Sequence, residues 1–126
     1  MSSRAAGIDA EGPGLVKVQA VIREHRLDDV VQRLVMIGVR GLTVRIVGGA
    51  GSAEHPRQVF RGVSFPVPFV PHIVLEWVGS ESEADAVVRA IQQRAHTGKV
   101  GDGQIVVQYI DDAVRIRTGE HGGDAV

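Results

Sequence analysis

At 126 residues, with 44% hydrophobic and 23% charged side chains and a formal net charge of −1, the chain has room for one domain with a core of its own and hardly for two. The near-neutral balance speaks against nucleic acid as the main partner, because phosphate backbones select an excess of Lys and Arg on one face. There is no cysteine, which removes disulfides and thiolate chemistry, and no apolar run approaches the ~20 residues that span a bilayer.

Residues 1–14 are small and polar. Gly7, Gly12, Pro13 and Gly14 break them up, and no hydrophobic stretch of a secretory signal occurs. They read as a flexible tail ahead of a domain covering 15–126, and a cytoplasmic location is expected. Leu15 to Ile22 alternates as a half-buried strand does. Leu27, Val30, Val31 and Leu34 then recur at i, i+3, i+4, i+7, which gives a helix with one apolar face. Gly38 and Gly41 close it, and Leu42 to Val47 reads as a second strand.

From Gly48 to His72 the pattern dissolves into glycine, proline and charge. Structureless connections beyond about 12–15 residues are uncommon in compact domains and tend to be functional or disordered. Pro56, Pro66, Pro68 and Pro71 are expected to deny this loop a regular ladder. Ile73 to Val78 resumes as a strand. Ser80 and Glu83 match a capping box, ahead of a second apolar face made by Ala84, Val87, Val88, Ile91 and Ala95. A glycine-rich connection follows, then a strand from Gln104 to Ile110 and a short extended piece from Ala113 to Arg117. Residues 120–124 are expected to be a mobile tail.

The order β-α-β, long loop, β-α-β predicts an α+β, ferredoxin-like double βαβ with both helices on one face of an antiparallel sheet. Apolar residues fall on both sides of the strands, for example Ile73, Leu75 and Trp77 against Val74 and Val78. The face without helices is therefore expected to pack against other copies.

Chemistry concentrates in Thr97-Gly-Lys-Val-Gly-Asp-Gly103 and in Arg115-Ile-Arg117. Gly98, Gly101 and Gly103 let the backbone approach a ligand closely, and backbone N–H groups in such a loop converge into an anion-binding concavity. Lys99, Arg115 and Arg117 supply positive charge. A phosphorylated small molecule fits this set, although the motif alone also fits a tight helix-to-strand turn with Gly98 as helix C-cap. It is not a P-loop, for no GxxxxGK[ST] exists. His55 and His72 flank the long loop without a spaced third ligand, and they are read as solvated. Arg57 and Arg61 suit either a small oxyanion or a solvated face. Phe60 and Phe65 suit hydrophobic anchoring of a partner.

Arg26-Leu-Asp-Asp-Val30, Gly41-Leu-Thr-Val44, Phe60-Arg-Gly62, Thr97 to Gly103 and Arg115 to Glu120, in this order, give the chain a resemblance to the PII signal-transduction (nitrogen-regulatory) family. The resemblance implies a homotrimer with adenine nucleotides (ATP, ADP or AMP) in clefts between subunits. It implies that 48–72 is the T-loop, which docks onto a target protein such as a membrane transporter or a metabolic enzyme. Position by position, Gly101, Asp102 and Gly103 would cradle phosphates and ribose, with Gln104 beside them. Arg115 and Arg117 would reach in from the adjacent subunit, and Thr43, Glu76 and Val78 would line the adenine pocket. Gly51 and Ser52 would lie at the loop base beside the phosphates, with Arg57, Phe60, Arg61 and Phe65 on the partner-binding loop.

The departures from the family pattern carry as much meaning. The glutamine that helps hold Mg²⁺ and 2-oxoglutarate is Ala53, the neighbouring arginine is Ser52, and the lysine that pairs with the far carboxylate is His72. Ala53 offers no oxygen to a divalent ion, so ordinary 2-oxoglutarate sensing is not expected and no cofactor or resident metal is implied. A lysine is replaced by Gln104, which weakens ATP against ADP or AMP. The modified tyrosine is Phe65, so tyrosyl control is ruled out. A divergent PII-like regulator is the expectation, and not an enzyme. An inorganic-carbon (bicarbonate) link to a transporter and a slow nucleotide hydrolase, with Asp102 or Glu54 as poor candidates for the water, are the alternatives.

Overall fold

The computed structural model describes residues 14–49, 57–60, 63–66 and 70–126. Strand β1 (Leu15–Ile22) alternates buried and half-buried side chains along its length, as the period of a strand with one core face demands. Helix α1 (Leu27–Met36) starts with Asp28 and Asp29 in its first turn, where carboxylates complement the helix dipole. Arg26 pairs with Asp29 across 3.1 Å.

The end of α1 is written in its capping bonds. Gly38 N donates to Val35 O at 3.0 Å and Val39 N to Leu34 O at 2.9 Å. With Gly38 at φ +97°, this is the Schellman arrangement, in which the left-handed residue is best served by glycine. Val39 then packs against the same core as Leu34, so the connection leaves the helix already anchored.

Strands β2 (Thr43–Gly49) and β5 (Val70–Ser80) follow, with a separate hairpin of β3 (Arg57–Phe60) and β4 (Val63–Pro66) between them. Helix α2 (Glu81–Ala95) and strand β6 (Gln104–Ile110) complete the second βαβ. The four-stranded sheet runs β2-β5-β1-β6 with every neighbouring pair antiparallel, which is the ferredoxin-like order expected. Val16, Val18, Ala20 and Ile22 of β1 and Ile73, Leu75 and Trp77 of β5 face the helices. They form one core with Val30 and Leu34 of α1 and with Ala84, Val87, Ala90, Ile91 and Ala95 of α2. Burying each large aliphatic side chain here contributes about 1.5–3 kcal/mol.

Four expectations need correction. The segment 48–72 does carry a ladder: β2 and β5 extend into it as far as the Gly49–Val70 pair, and Arg57 pairs with Pro66 at the end of the small hairpin. Pro66 is the last residue of its strand and Pro71 the second of β5, near strand ends where a missing N–H is tolerated. The extended piece at 113–117 is short and passes into a turn at 116–118. Only Val114 bridges, to His121, because Arg115 N donates to Glu120 O at 2.9 Å and Gly119 N to Arg115 O at 2.7 Å.

The tail at 120–124 is held rather than loose. His121 Nδ1 donates to Asp112 Oδ2 across 2.6 Å, and Gly122 N to Asp112 Oδ1 at 3.1 Å. Gly14, assigned to the flexible tail, belongs to the domain: its carbonyl accepts from Glu81 N at 2.8 Å, tying the start of β1 to the start of α2. At that start Ser80 is the N-cap, as expected, with its Oγ accepting from Ser82 N at 3.2 Å, one position before the Glu83 amide of a capping box.

The sheet face without helices is not a plain apolar wall. Strand register places Lys17, Gln19, Arg45 and Glu76 on it beside Val21, Val47, Val74 and Val78. Among the described residues no helix is long and apolar enough to cross a membrane.

Candidate functional site

The glycine-rich connection from α2 to β6 is organised around one carboxylate. Asp102 Oδ2 accepts from Thr97 N at 2.8 Å and from Gly98 N at 2.9 Å. Oδ1 accepts from the Thr97 hydroxyl and, at 2.9 Å, from Arg23 Nε. The Thr97 hydroxyl above all, with the Thr97 amide and Arg23 behind it, holds the Asp102 carboxyl far below the usual carboxylate range. Hydrogen bonds to the charged form favour it, so the group is ionised. Asp102 thus acts within the loop, closing 97–102 on itself.

Gly103 fixes the far end. It sits at φ +99°, and a β-carbon built on it would stand 1.7 Å from the Val21 carbonyl oxygen. Gln104 next to it opens β6, paired in register with Val21. His72, near the start of β5, places Nε2 3.4 Å from Gly101 O, so the base of the long loop touches the glycine loop. Asp102, Gly103 and Gln104 rim an apolar pocket of about 440 Å³ whose floor includes Ile22, Val88, Ala95 and Ile105.

Thr43, Glu76 and Val78 lie in a different place. They line a cleft of about 840 Å³ together with Lys17, the 38–42 connection and the C-terminal Gly123, Ala125 and Val126. Thr43 and Glu76 are directly opposed on β2 and β5. Glu76 Oε2 receives Lys17 Nζ at 2.7 Å, Oε1 receives Arg45 Nη1, and Gln19 Nε2 donates to Oε2 at 3.4 Å. Lys17 and then Arg45 hold its carboxyl below the ordinary range, so an anionic carboxylate with cationic neighbours stands on one wall.

Arg115 and Arg117 border neither pocket. They flank Ile116 on the C-terminal turn, where Ile116 is 99% exposed and Arg115 Nη1 pairs with Glu120 Oε1 at 3.1 Å. Arg57, Phe60 and Phe65 fall on the hairpin strands, while Gly51, Ser52, Ala53 and Arg61 lie outside the described residues. Among the described residues no group of three or more His, Cys, Asp or Glu is placed to hold a metal ion.

Three participants carry no local sequence signal. Arg23 meets Asp102 from 79 positions away, Lys17 is one alternate residue of a strand, and the C-terminal lining depends on a turn that periodicity does not mark. Only contact across the fold reveals them.

A ferredoxin-like domain with a glycine-rich loop on β6 and a second cleft at the β2–β5 end defines the class. Within it, the profile of the family "Nitrogen regulatory protein P-II" matches residues 15–120. The P-II protein of Azospirillum brasilense is 41% identical over 110 residues, 87% of this chain and 98% of that one. P-II 1 of Methanothermobacter thermautotrophicus is 43% identical over 110 residues, 87% and 96% of the two chains. The crystal structure of Arabidopsis thaliana PII bound to citrate superposes with a TM-score of 0.73 at 32% identity, covering 94% of this chain and 97% of that one. The chain belongs to the P-II family of signalling regulators.

Proposed function

We propose that the protein binds ATP, ADP or AMP at sites completed between copies of a homotrimer, and that the bound nucleotide sets the state of the 48–72 loop towards a partner protein. The observation that carries this reading is the separation of the two half-sites. The cleft with Thr43, Glu76 and Val78 and the rim with Asp102, Gly103 and Gln104 share no residue within one chain. Strands β2 and β6 are the two outer strands of the four-stranded sheet. Val44 and Ile46 on one edge are 44% and 70% exposed, Val107 and Tyr109 on the other 49% and 54%. Two different sticky edges on one chain suit head-to-tail association, which gives a ring where the rotation between copies closes.

In this reading the Gly101–Gly103 backbone receives phosphates, Arg115 and Arg117 of the next copy add charge, and Thr43, Glu76 and Val78 of that copy receive the base. Gln104 brings no charge to a γ-phosphate, which favours ADP or AMP over ATP. The contact of His72 with Gly101 links an occupied loop to the base of 48–72. Ligands that touch this junction differently select different loop populations. The target is a membrane transporter or a metabolic enzyme, reached through Arg57, Phe60, Arg61 and Phe65. Regulation rather than catalysis is the role, because Ala53 supplies no ligand for a catalytic Mg²⁺.

Calorimetry and thermal-shift titration with ATP, ADP and AMP, each with and without Mg²⁺, 2-oxoglutarate and bicarbonate, test this. Saturable binding of adenine nucleotide, with no further effect of 2-oxoglutarate, is the expected result. Tight Mg-ATP-dependent binding of 2-oxoglutarate overturns the argument from Ala53 and His72. Phosphate release above background overturns the non-catalytic role.

A further inference from the structure

We propose that Arg23 is the positioning residue of the phosphate loop, acting through Asp102 and Val100 rather than on the ligand; the inference rests on the nucleotide reading above. Arg23 follows β1 directly and holds an extended backbone, φ −68° and ψ 143°. Its Nε donates to Asp102 Oδ1 at 2.9 Å and its Nη2 to Val100 O at 2.7 Å. The two bonds leave one guanidinium edge and land on opposite sides of Gly101.

The other bonds of this segment are mostly internal, apart from the longer His72 contact with Gly101 O at 3.4 Å. The Thr97 and Gly98 amides reach Asp102, and Lys99 N reaches Thr97 Oγ1 at 3.2 Å. Arg23 fixes this self-closed unit to the end of β1 by its two short bonds. Two residues earlier on β1, Val21 O stops Gly103 at the other end. The end of β1 therefore grips the loop twice, once by hydrogen bonds and once by contact, with the glycine amides held between.

The physical consequence is preorganisation. A glycine-rich segment loses much conformational entropy when it orders around an anion, and affinity rises when that ordering is already done in the free protein. The Arg23–Asp102 pair is three-quarters shielded, with side chains 25% and 23% exposed. Its charges cancel locally, so Arg23 brings geometry to the site and not net positive charge. Lysine carries the same charge but has no two-pronged edge with which to bridge Asp102 and Val100.

The test compares the full-length protein with Arg23→Lys and Arg23→Met. Hydrogen exchange of the nucleotide-free proteins comes first. Both variants are expected to lose protection at amides 98–103 at least several-fold, while β1, β5 and α2 keep theirs. Titration with ADP follows. Both variants are expected to weaken binding about tenfold, and Arg23→Lys, which keeps the positive charge beside Asp102, is expected to leave the slope of log Kd against log salt unchanged. Unchanged loop protection in both variants overturns the proposal, as does an Arg23→Lys protein with wild-type affinity. A wild-type protein that binds no adenine nucleotide overturns the nucleotide reading instead, and the exchange result then still decides whether Arg23 holds the loop.

Discussion

Gly103 and Val21 are in contact closer than any side chain permits: a β-carbon on Gly103 would fall 1.7 Å from Val21 O and 2.7 Å from Val21 C. Both atoms belong to the backbone of a central strand, so no rotamer change relieves the clash, and φ +99° adds its own strain. Gly103→Ala is expected to lower the unfolding free energy by about 2 kcal/mol or more and to displace the loop from β1. Urea denaturation measures the first effect and amide exchange the second. A wild-type midpoint for the alanine variant would contradict the close approach.

Neighbouring positions on α1 give a contrast in packing. Leu34 is 0% exposed and Val35 60%, although they are adjacent in sequence. Leu34→Ala leaves a cavity between α1 and the sheet and is expected to cost about 2–5 kcal/mol. Val35→Ala removes a methyl-bearing side chain from solvent and is expected to shift stability by no more than about 0.5 kcal/mol. Thermal melts of the two variants under one buffer condition check the difference.

The acid limb of stability should report the loop. Asp102 has a native pKa depressed by Thr97, Arg23 and Gly98, against about 3.9 in an unfolded chain. A depressed carboxylate binds its proton more readily when unfolded, so its stabilising effect is complete above the unfolded value and is lost as pH falls through the native one. Wild type is therefore expected to exceed Asp102→Asn in melting temperature at pH 7, with the gap narrowing below about pH 4. A gap that is constant from pH 7 to pH 3 would show that the carboxylate's charge is not what closes the loop. Asp112, depressed by His121, titrates in the same direction and remains in both proteins.

How far these features could be read from the residues varies with the range of the interaction. The strands expected at Leu15 to Ile22 and Gln104 to Ile110 are found with those bounds, because runs rich in β-branched residues that begin just after Gly14 and Gly103 are a local signal. The helices follow from their apolar periodicity, which is local too. The β3–β4 hairpin escaped because prolines mask its pattern and it packs as a separate two-stranded ladder. The C-terminal turn escaped because its stability comes from Asp112 and Glu120, not from periodicity. Asp102 was legible as a loop residue, but its four donors, one of them 79 positions away, were not. The family resemblance implied a ligand contact for Asp102, and the fold adds the bonds by which its carboxylate closes the loop.

The separation of Gln104 from Arg117 leads to the most discriminating prediction about assembly. Gln104 rims the pocket beside the glycine loop, while Arg117 sits on the exposed C-terminal turn. Neither is buried, so Gln104→Glu and Arg117→Ala are both expected to fold as wild type does. Each variant alone is expected to weaken ADP binding about tenfold or more, the first by repelling phosphate from the loop and the second by removing a cation from the facing half. If every site takes its loop from one chain and its arginines from the next, unfolding and reassembling the two variants together restores function in part. In a ring of mixed chains, an Arg117→Ala protomer offers an intact loop to the intact turn of a Gln104→Glu protomer, giving about one native site in three. The reverse junction carries both lesions and stays silent. Calorimetry on the mixed trimers should show a minor class of sites with wild-type affinity. If both half-sites served the same chain, no mixture of the two variants would recover any.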